Sequence, residues 1–264
     1  MKRRSKRNIC LAISLVAILL LLLCEIFGFS SLFGESIDSD TAFALDMIAT
    51  RALGGTAFLA MLINLGYKVL DPFKSPFWKS IVFAIPAFVI AINNFPFSQV
   101  LKGEAYVTKE WWAVALLLLE CMCVGFFEEM AFRGVVFLGF LKRDPENRLW
   151  AFVSIAISSV IFGLVHLINI FESSPLAVLM QIGYSALIGA MCAVVLMKSA
   201  NIWLCVVVHG LFNFCGAVIP RCGGGEIWDT FTVVLTVIVS VAVAAWFVFV
   251  FIKGKFDKIK DVYK

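Results

Sequence analysis

Eight long apolar runs, each closed by charged residues, Pro, Gly or Asn, dominate the chain. They fall near residues 9–29, 43–67, 78–94, 109–141, 149–170, 175–197, 200–219 and 229–252. A helix needs about 20 apolar residues to cross a bilayer, and inside lipid every backbone polar group must find its partner within the protein. Eight such runs leave no room in 264 residues for a separate soluble domain. The chain is 62% hydrophobic and 15% charged, against ~45–50% and ~25% for a soluble domain. That excludes a soluble globular protein, a disordered chain and a disulfide-rich secreted scaffold. The expected fold is all-α: a polytopic membrane helix bundle of about eight transmembrane helices, forming a single integral-membrane domain over residues 1–264. The third run is short and carries Pro86; the fourth is overlong and carries Glu120, Glu128, Glu129 and Arg133.

Lysine and arginine set the orientation, because cytoplasmic loops carry the excess. With the N-terminus in the cytoplasm, that side receives Lys2, Arg3, Arg4, Lys6 and Arg7, then Lys68, Lys74 and Lys79. Further along it receives Lys142, Arg143, Arg148 and Lys198, and finally Lys253, Lys255, Lys258, Lys260 and Lys264. The opposite side receives Lys102, Lys109, Arg221 and Arg51. This asymmetry requires an even number of spans and places both termini in the cytoplasm. The first run follows a basic segment but lacks a small-residue cleavage site, so it reads as a retained signal-anchor helix. A net charge of +4 gives no argument for nucleic acid. Of the eight cysteines only Cys222 falls in a loop, and the rest read as small buried hydrophobes.

Charge inside a bilayer is costly, so buried ionisable residues are functional candidates. The fourth run contains Glu128-Glu129-Met130-Ala131-Phe132-Arg133, the fifth Phe162-Gly163-Leu164-Val165-His166, and the seventh His209-Gly210-Leu211-Phe212-Asn213. These hold the only two histidines of the chain. Glu129 and Arg133, four apart, share a helix face and can pair, as can His209 and Asn213. Glu128 points about 100° away from Glu129 and stays free of that pair. Measured at helical rise from the nearest cytoplasmic cation, Glu128, His166 and His209 lie at depths of ~21, ~27 and ~16 Å. Those depths allow the three to meet in one polar cavity. A carboxylate beside an imidazole can deprotonate water, while a second imidazole and an amide can donate to an oxyanion. Alternatively, two imidazoles and a carboxylate can ligate Zn²⁺ with one open position. No nucleophile elbow surrounds Ser158, Ser159 or Cys215, and no H-E-x-x-H is present. Glu120 reads as a cavity or helix–helix residue, Asp46 and Arg51 as interfacial charges, and Gln181 as interhelical glue.

Taken together in this order on separate apolar helices, Glu128-Glu129-x-x-x-Arg133, Phe162-x-x-x-His166 and His209-x-x-x-Asn213 resemble the motifs of the CPBP family. This is the CAAX protease and bacteriocin-processing (Abi) family, which includes the type II CAAX prenyl endopeptidases. The resemblance covers roughly residues 105–219 as a catalytic core, with residues 1–104 and 220–264 supplying additional transmembrane helices. It implies an intramembrane endopeptidase in which Glu128 activates water with His166 as partner. His209 and Asn213 would stabilise the oxyanion, and Glu129 and Arg133 would support them. The family has been described both as metalloprotease and as metal-free glutamate protease. Glu128, His166 and His209 are the zinc candidates, and the small ligand count favours the metal-free form. The implied partners are a hydrophobic or lipidated peptide or protein substrate and the lipid bilayer. The implied setting is a multi-pass protein of a bacterial plasma membrane, serving CAAX-type processing, peptide maturation or bacteriocin self-immunity. Two other readings stay open: a non-proteolytic scaffold or immunity factor with the same fold, and a proton-coupled transporter. The absence of internal repeats counts against the latter.

Overall fold

The computed structural model describes residues 2–71, 77–171, 173–256 and 259–263, with side chains of 2–7, 35 and 36 omitted. The expected cytoplasmic cations Lys74, Lys258 and Lys264, and the side chains of Lys2, Arg3, Arg4, Lys6 and Arg7, lie outside the described residues. Each of the eight apolar runs forms helix. They are α1 (Lys2–Phe27), α2 (Ser39–Asn64), α3 (Phe77–Asn93), α5 (Trp111–Glu129) with its continuation, α7 (Arg148–Val165), α8 (Pro175–Ser199), α9 (Ile202–Cys222) and α10 (Thr230–Lys253). Short helices α4 (Phe97–Lys102), α6 (Leu138–Leu141) and α11 (Lys260–Tyr263) complete the set. Six helical segments are long and apolar enough to span a membrane, among the described residues. The other two runs are the 17-residue α3 and the charge-bearing α5. The protein is an all-α membrane bundle.

α9 is the hub, packed against α5, α3 and α8; α2 joins α5 to α1, and α7 lies on α8. The C-terminal half of α8, from Ile188 to Met197, is almost wholly buried and anchors the core with Leu62, Phe137 and Ile202. α1 and α10 instead expose Leu, Ile, Val and Phe on most sides, the surface expected of helices that meet lipid.

The two ends of the bundle differ as the charge asymmetry predicts. At one end Lys260 pairs with Glu146 at 2.6 Å, Lys198 donates to the Lys255 carbonyl, and Lys142 lies 5.2 Å over the Tyr67 ring. Arg148 donates there to the Ile252 and Gly254 carbonyls. The segments assigned to the cytoplasm therefore meet one another. Lys102 and Lys109 are at the other end, paired with Asp229 and Asp40.

Three local departures matter. α2 begins at Ser39, ahead of the expected 43, because the Asp38 carboxylate accepts from the Asp40 and Thr41 backbone N–H groups as its N-cap. The fourth run is not one α-helix: after Glu129 it passes into a π-helical turn, Met130–Phe137, before α6. The Gly223–Gly225 run forms a strand, β2, antiparallel to β1 (Ala105–Val107). Glycine is needed there because a Cβ on Gly223 or Gly225 would collide with the Tyr106 or Glu104 carbonyl oxygen.

Candidate active site

α5 and α9 cross where Gly125 meets Gly210. A Cβ on Gly125 would lie 2.9 Å from the Gly210 nitrogen and from the Val206 oxygen. Small residues permit this approach, and it brings Glu129, one turn beyond Gly125, level with His209. The His209 Nδ1–H donates to Glu129 Oε1 at 2.7 Å, and its Nε2 lies 3.2 Å from Glu128 Oε2. The imidazole thus bridges two adjacent carboxylates. On its other oxygen, Glu129 faces Arg133 Nε at 3.1 Å. The side chains of Glu129 and Arg133 are 0% and 1% exposed, and that of Glu128 is 20% exposed. Arg133 leaves the π-helical turn, a geometry that recurs at functional sites. Its guanidinium lies 4.5 Å over the Phe162 ring and against Gly189, where a Cβ would be 2.9 Å from Nη2.

His166 stands where α7 gives way to a 3₁₀ segment, His166–Phe171, and not in the interior of a continuous α-helix as the apolar run 149–170 suggests. Its Nδ1 is 3.0 Å from the Phe162 carbonyl oxygen. A carbonyl only accepts, so Nδ1 carries the hydrogen, which in the neutral imidazole leaves Nε2 as the acceptor. The Phe162 ring meets both imidazoles edge-on, at 5.2 Å from His166 and 5.6 Å from His209.

Glu128, His166, His209 and Asn213 all line one cavity of about 530 Å³ between α2, α5, α7, α8 and α9. Glu128 stays out of the Glu129–Arg133 pair, and one detail is new: His209 reaches both carboxylates as well as sharing its helix face with Asn213. Gln181 does join neighbouring segments, accepting from Asn169 Nδ2 at 2.8 Å on the cavity rim. Glu120 belongs elsewhere: it forms a two-pronged pair with Arg221 at 3.0 and 3.1 Å.

Sequence reasoning missed two features. Arg51 lines the same cavity. Its position 12 residues into α2 was hidden by placing the helix start too late. Cys192 and Cys205 lie behind the site, with Cys205 Sγ 3.2 Å from the Cys192 carbonyl oxygen. No sequence motif marks those two, which are apolar positions on two core helices.

The zinc alternative can be tested on the donors. Glu128 and His209 are adjacent, but Glu128, His166 and His209 do not gather as a trio with donor atoms within 4.8 Å of one another. Among the described residues that criterion selects Glu129, Cys192 and Cys205. Glu129 is already committed to His209 and Arg133. The candidate zinc donors Glu128, His166 and His209 are therefore not gathered within that distance.

With this geometry in view, residues 110–215 match the family described as type II CAAX prenyl endopeptidase Rce1-like. Over this stretch the chain is similar to the CAAX prenyl endopeptidases. The segment runs from the residue before α5 into α9 and contains every motif residue named above. Arg51 lies outside it. No curated protein and no solved structure matches the chain significantly.

Proposed function

We propose that the chain is an active intramembrane endopeptidase that hydrolyses a peptide bond in a hydrophobic or lipidated substrate with Glu128-activated water. The observation that carries this reading is the His209 bridge between Glu128 and Glu129 at the wall of a cavity shared with His166 and Asn213. Arg133 offsets the charge of Glu129, so Glu128 and His209 form an imidazole–carboxylate pair sharing one proton. With the proton on His209 Nε2, Glu128 is the free base and His209 a donor.

The chemistry balances with protein groups alone. Glu128 takes a proton from water while His166 Nε2 accepts from the same water and orients it. The oxygen attacks the scissile carbonyl. The carbonyl oxygen gains charge and is stabilised by His209 Nε2–H and the Asn213 amide. The C–N bond then breaks, and Glu128 returns its proton to the leaving amine. Glu129 holds the His209 tautomer and ring angle, and Arg133 holds Glu129. No step in this scheme needs a metal. The setting we propose is a bacterial plasma membrane, supported by the gathering of basic residues at one end of the bundle.

Alanine replacement tests the roles separately. Glu128→Ala, His166→Ala and His209→Ala should each lower cleavage of a prenylated peptide by about 10²–10⁴-fold, the usual worth of a general base or oxyanion donor. Insertion and melting temperature of Glu128→Ala should stay close to wild type, because its carboxylate is partly exposed. Undiminished cleavage by a stably inserted Glu128→Ala protein would reject the reading. Equal loss of activity on chelation by EDTA would reject its metal-free form.

A further inference from the structure

The cavity holds a cation that the hydrolytic scheme does not use. Arg51 sits in α2, a 26-residue apolar segment, about 18 Å from its start at helical rise. Its guanidinium carbon lies 5.2 Å from the centroid of the Phe127 ring, and Phe127 precedes Glu128 on α5. The close α2–α5 contact is set one turn further on, where a Cβ at Gly54 would lie 2.6 Å from Phe127. Arg51 is thus fixed by an aromatic face beside the proposed base.

Its charge is not answered by any described residue. Among the described residues Arg51 has no ion pair and no hydrogen bond. Asp46, on its own helix, accepts from the Ser30 backbone N–H at 2.6 Å and from Ser30 Oγ at 2.8 Å. Across the cavity Glu128 faces His209, and Glu129 is buried between His209 and Arg133. An unpaired cation deep in an apolar span is costly to keep. A guanidinium presents a planar fork of donors that fits a carboxylate on two bonds.

We propose that Arg51 receives the free α-carboxylate at the substrate's C-terminus and so selects peptide bonds close to a carboxyl terminus. The inference rests on the endopeptidase reading. With the carboxylate held over Phe127, the substrate backbone passes Glu128 on the way to His209 and Asn213. The short stretch between anchor and scissile bond becomes the leaving peptide. Arg51 is a specificity residue and takes no part in proton transfer. A lipid phosphate offers the same anionic chemistry, so the test separates the two sources.

The probes are one farnesylated peptide as free acid and the same peptide as C-terminal carboxamide, with the full chain in zwitterionic nanodiscs. Wild type should favour the acid by about 10- to 150-fold in kcat/KM, the worth of a charge-assisted hydrogen-bond pair. The preference should appear mainly in KM. Arg51→Gln should bring the acid/amide ratio close to one, and Arg51→Lys should restore part of it. Equal cleavage of acid and amide by wild type, or an undiminished ratio in Arg51→Gln, overturns the proposal. A second arm measures peptide binding to Glu128→Gln protein, with and without Arg51→Gln. Acid-selective binding that needs Arg51, in a chain that cleaves neither probe, would keep the anchor and reject the endopeptidase reading. Loss of acid preference when phosphatidylglycerol is added would assign Arg51 to lipid and overturn the proposal.

Discussion

Two ionic clusters lie on the same pair of helices and are built on opposite plans. Midway along α5 and at the end of α9, Glu120 meets Arg221, one carboxylate against one guanidinium through two bonds. Arg221 is in the last turn of α9, where a cation also suits the helix dipole. The pair borders a smaller cavity of about 340 Å³, and the Arg221 side chain is 35% exposed. Deeper in the bundle, two carboxylates compete for one imidazole, and one of them also holds a guanidinium sealed from solvent. The outer cluster is closed one-to-one and holds helices together. The inner one sets two carboxylates against one imidazole at a cavity wall, the arrangement the proposed hydrolysis uses. The difference lies in stoichiometry and access more than in residue type.

The comparison breaks most sharply at Glu129. Glu129→Gln keeps an acceptor for His209 Nδ1–H but leaves Arg133 as a buried, uncompensated charge. Removing one partner of a buried pair costs about 3–5 kcal/mol, so the melting temperature in detergent should fall steeply. Cleavage should fall further than the folded fraction explains, because His209 loses its charged holder. A wild-type melting temperature would show that Arg133 is neutralised by some other group.

Arg221→Gln sharpens the contrast from the other side. Water reaches this pair, so its worth lies between an exposed bridge, ~0–1 kcal/mol, and a buried one. A loss of about 1–2 kcal/mol on this interpolation, with cleavage per folded molecule unchanged, is the expected outcome. Arg221 is about 18 Å along α9 from His209. A large drop in turnover at constant folded fraction would mean the two clusters are coupled, and the division into structural and reactive would fail.

Much of this contrast was legible in the sequence, for identifiable reasons. In a chain this apolar, Glu128, Glu129, Arg133, His166 and His209 stand out simply by being polar, and the Glu129–Arg133 pair follows from helix spacing. The helices themselves follow from runs too long and apolar for anything else. The His209 bridge was not legible, because periodicity describes one helix at a time. It turns Glu128 away from Glu129 without showing that an imidazole on α9 has two nitrogens able to reach both. The π-helical turn after Glu129 was equally hidden, since a uniform apolar run carries no mark of a change in winding. Arg51 was misplaced because apolarity locates a span while the Asp38 cap sets where its helix begins. The Glu120–Arg221 pair joins residues 101 apart in sequence, beyond any local rule.

The smallest effect is expected at a third charge pair, outside the spans. Asp229 accepts from Lys102 Nζ at 2.5 Å and caps α10 through the Thr232 backbone N–H at 2.7 Å. Lys102 first, then the Thr232 N–H, holds its carboxyl well below the usual carboxylate range. A carboxylate with a lowered folded value stabilises the fold at pH above its unfolded value of about 3.9, and that contribution disappears as pH falls through the folded value. Asn is as good a cap as Asp, so Asp229→Asn removes the charge and keeps the cap. The variant should melt slightly below wild type at pH 7. The gap should narrow as pH drops below about 4 and also shrink in high salt, which screens exposed charges. A gap that persists in acid would mean the cap and not the ion pair carries the effect. Solvent would then have reduced this exposed pair to nothing, leaving burial as the property that separates the inner cluster from both of the others.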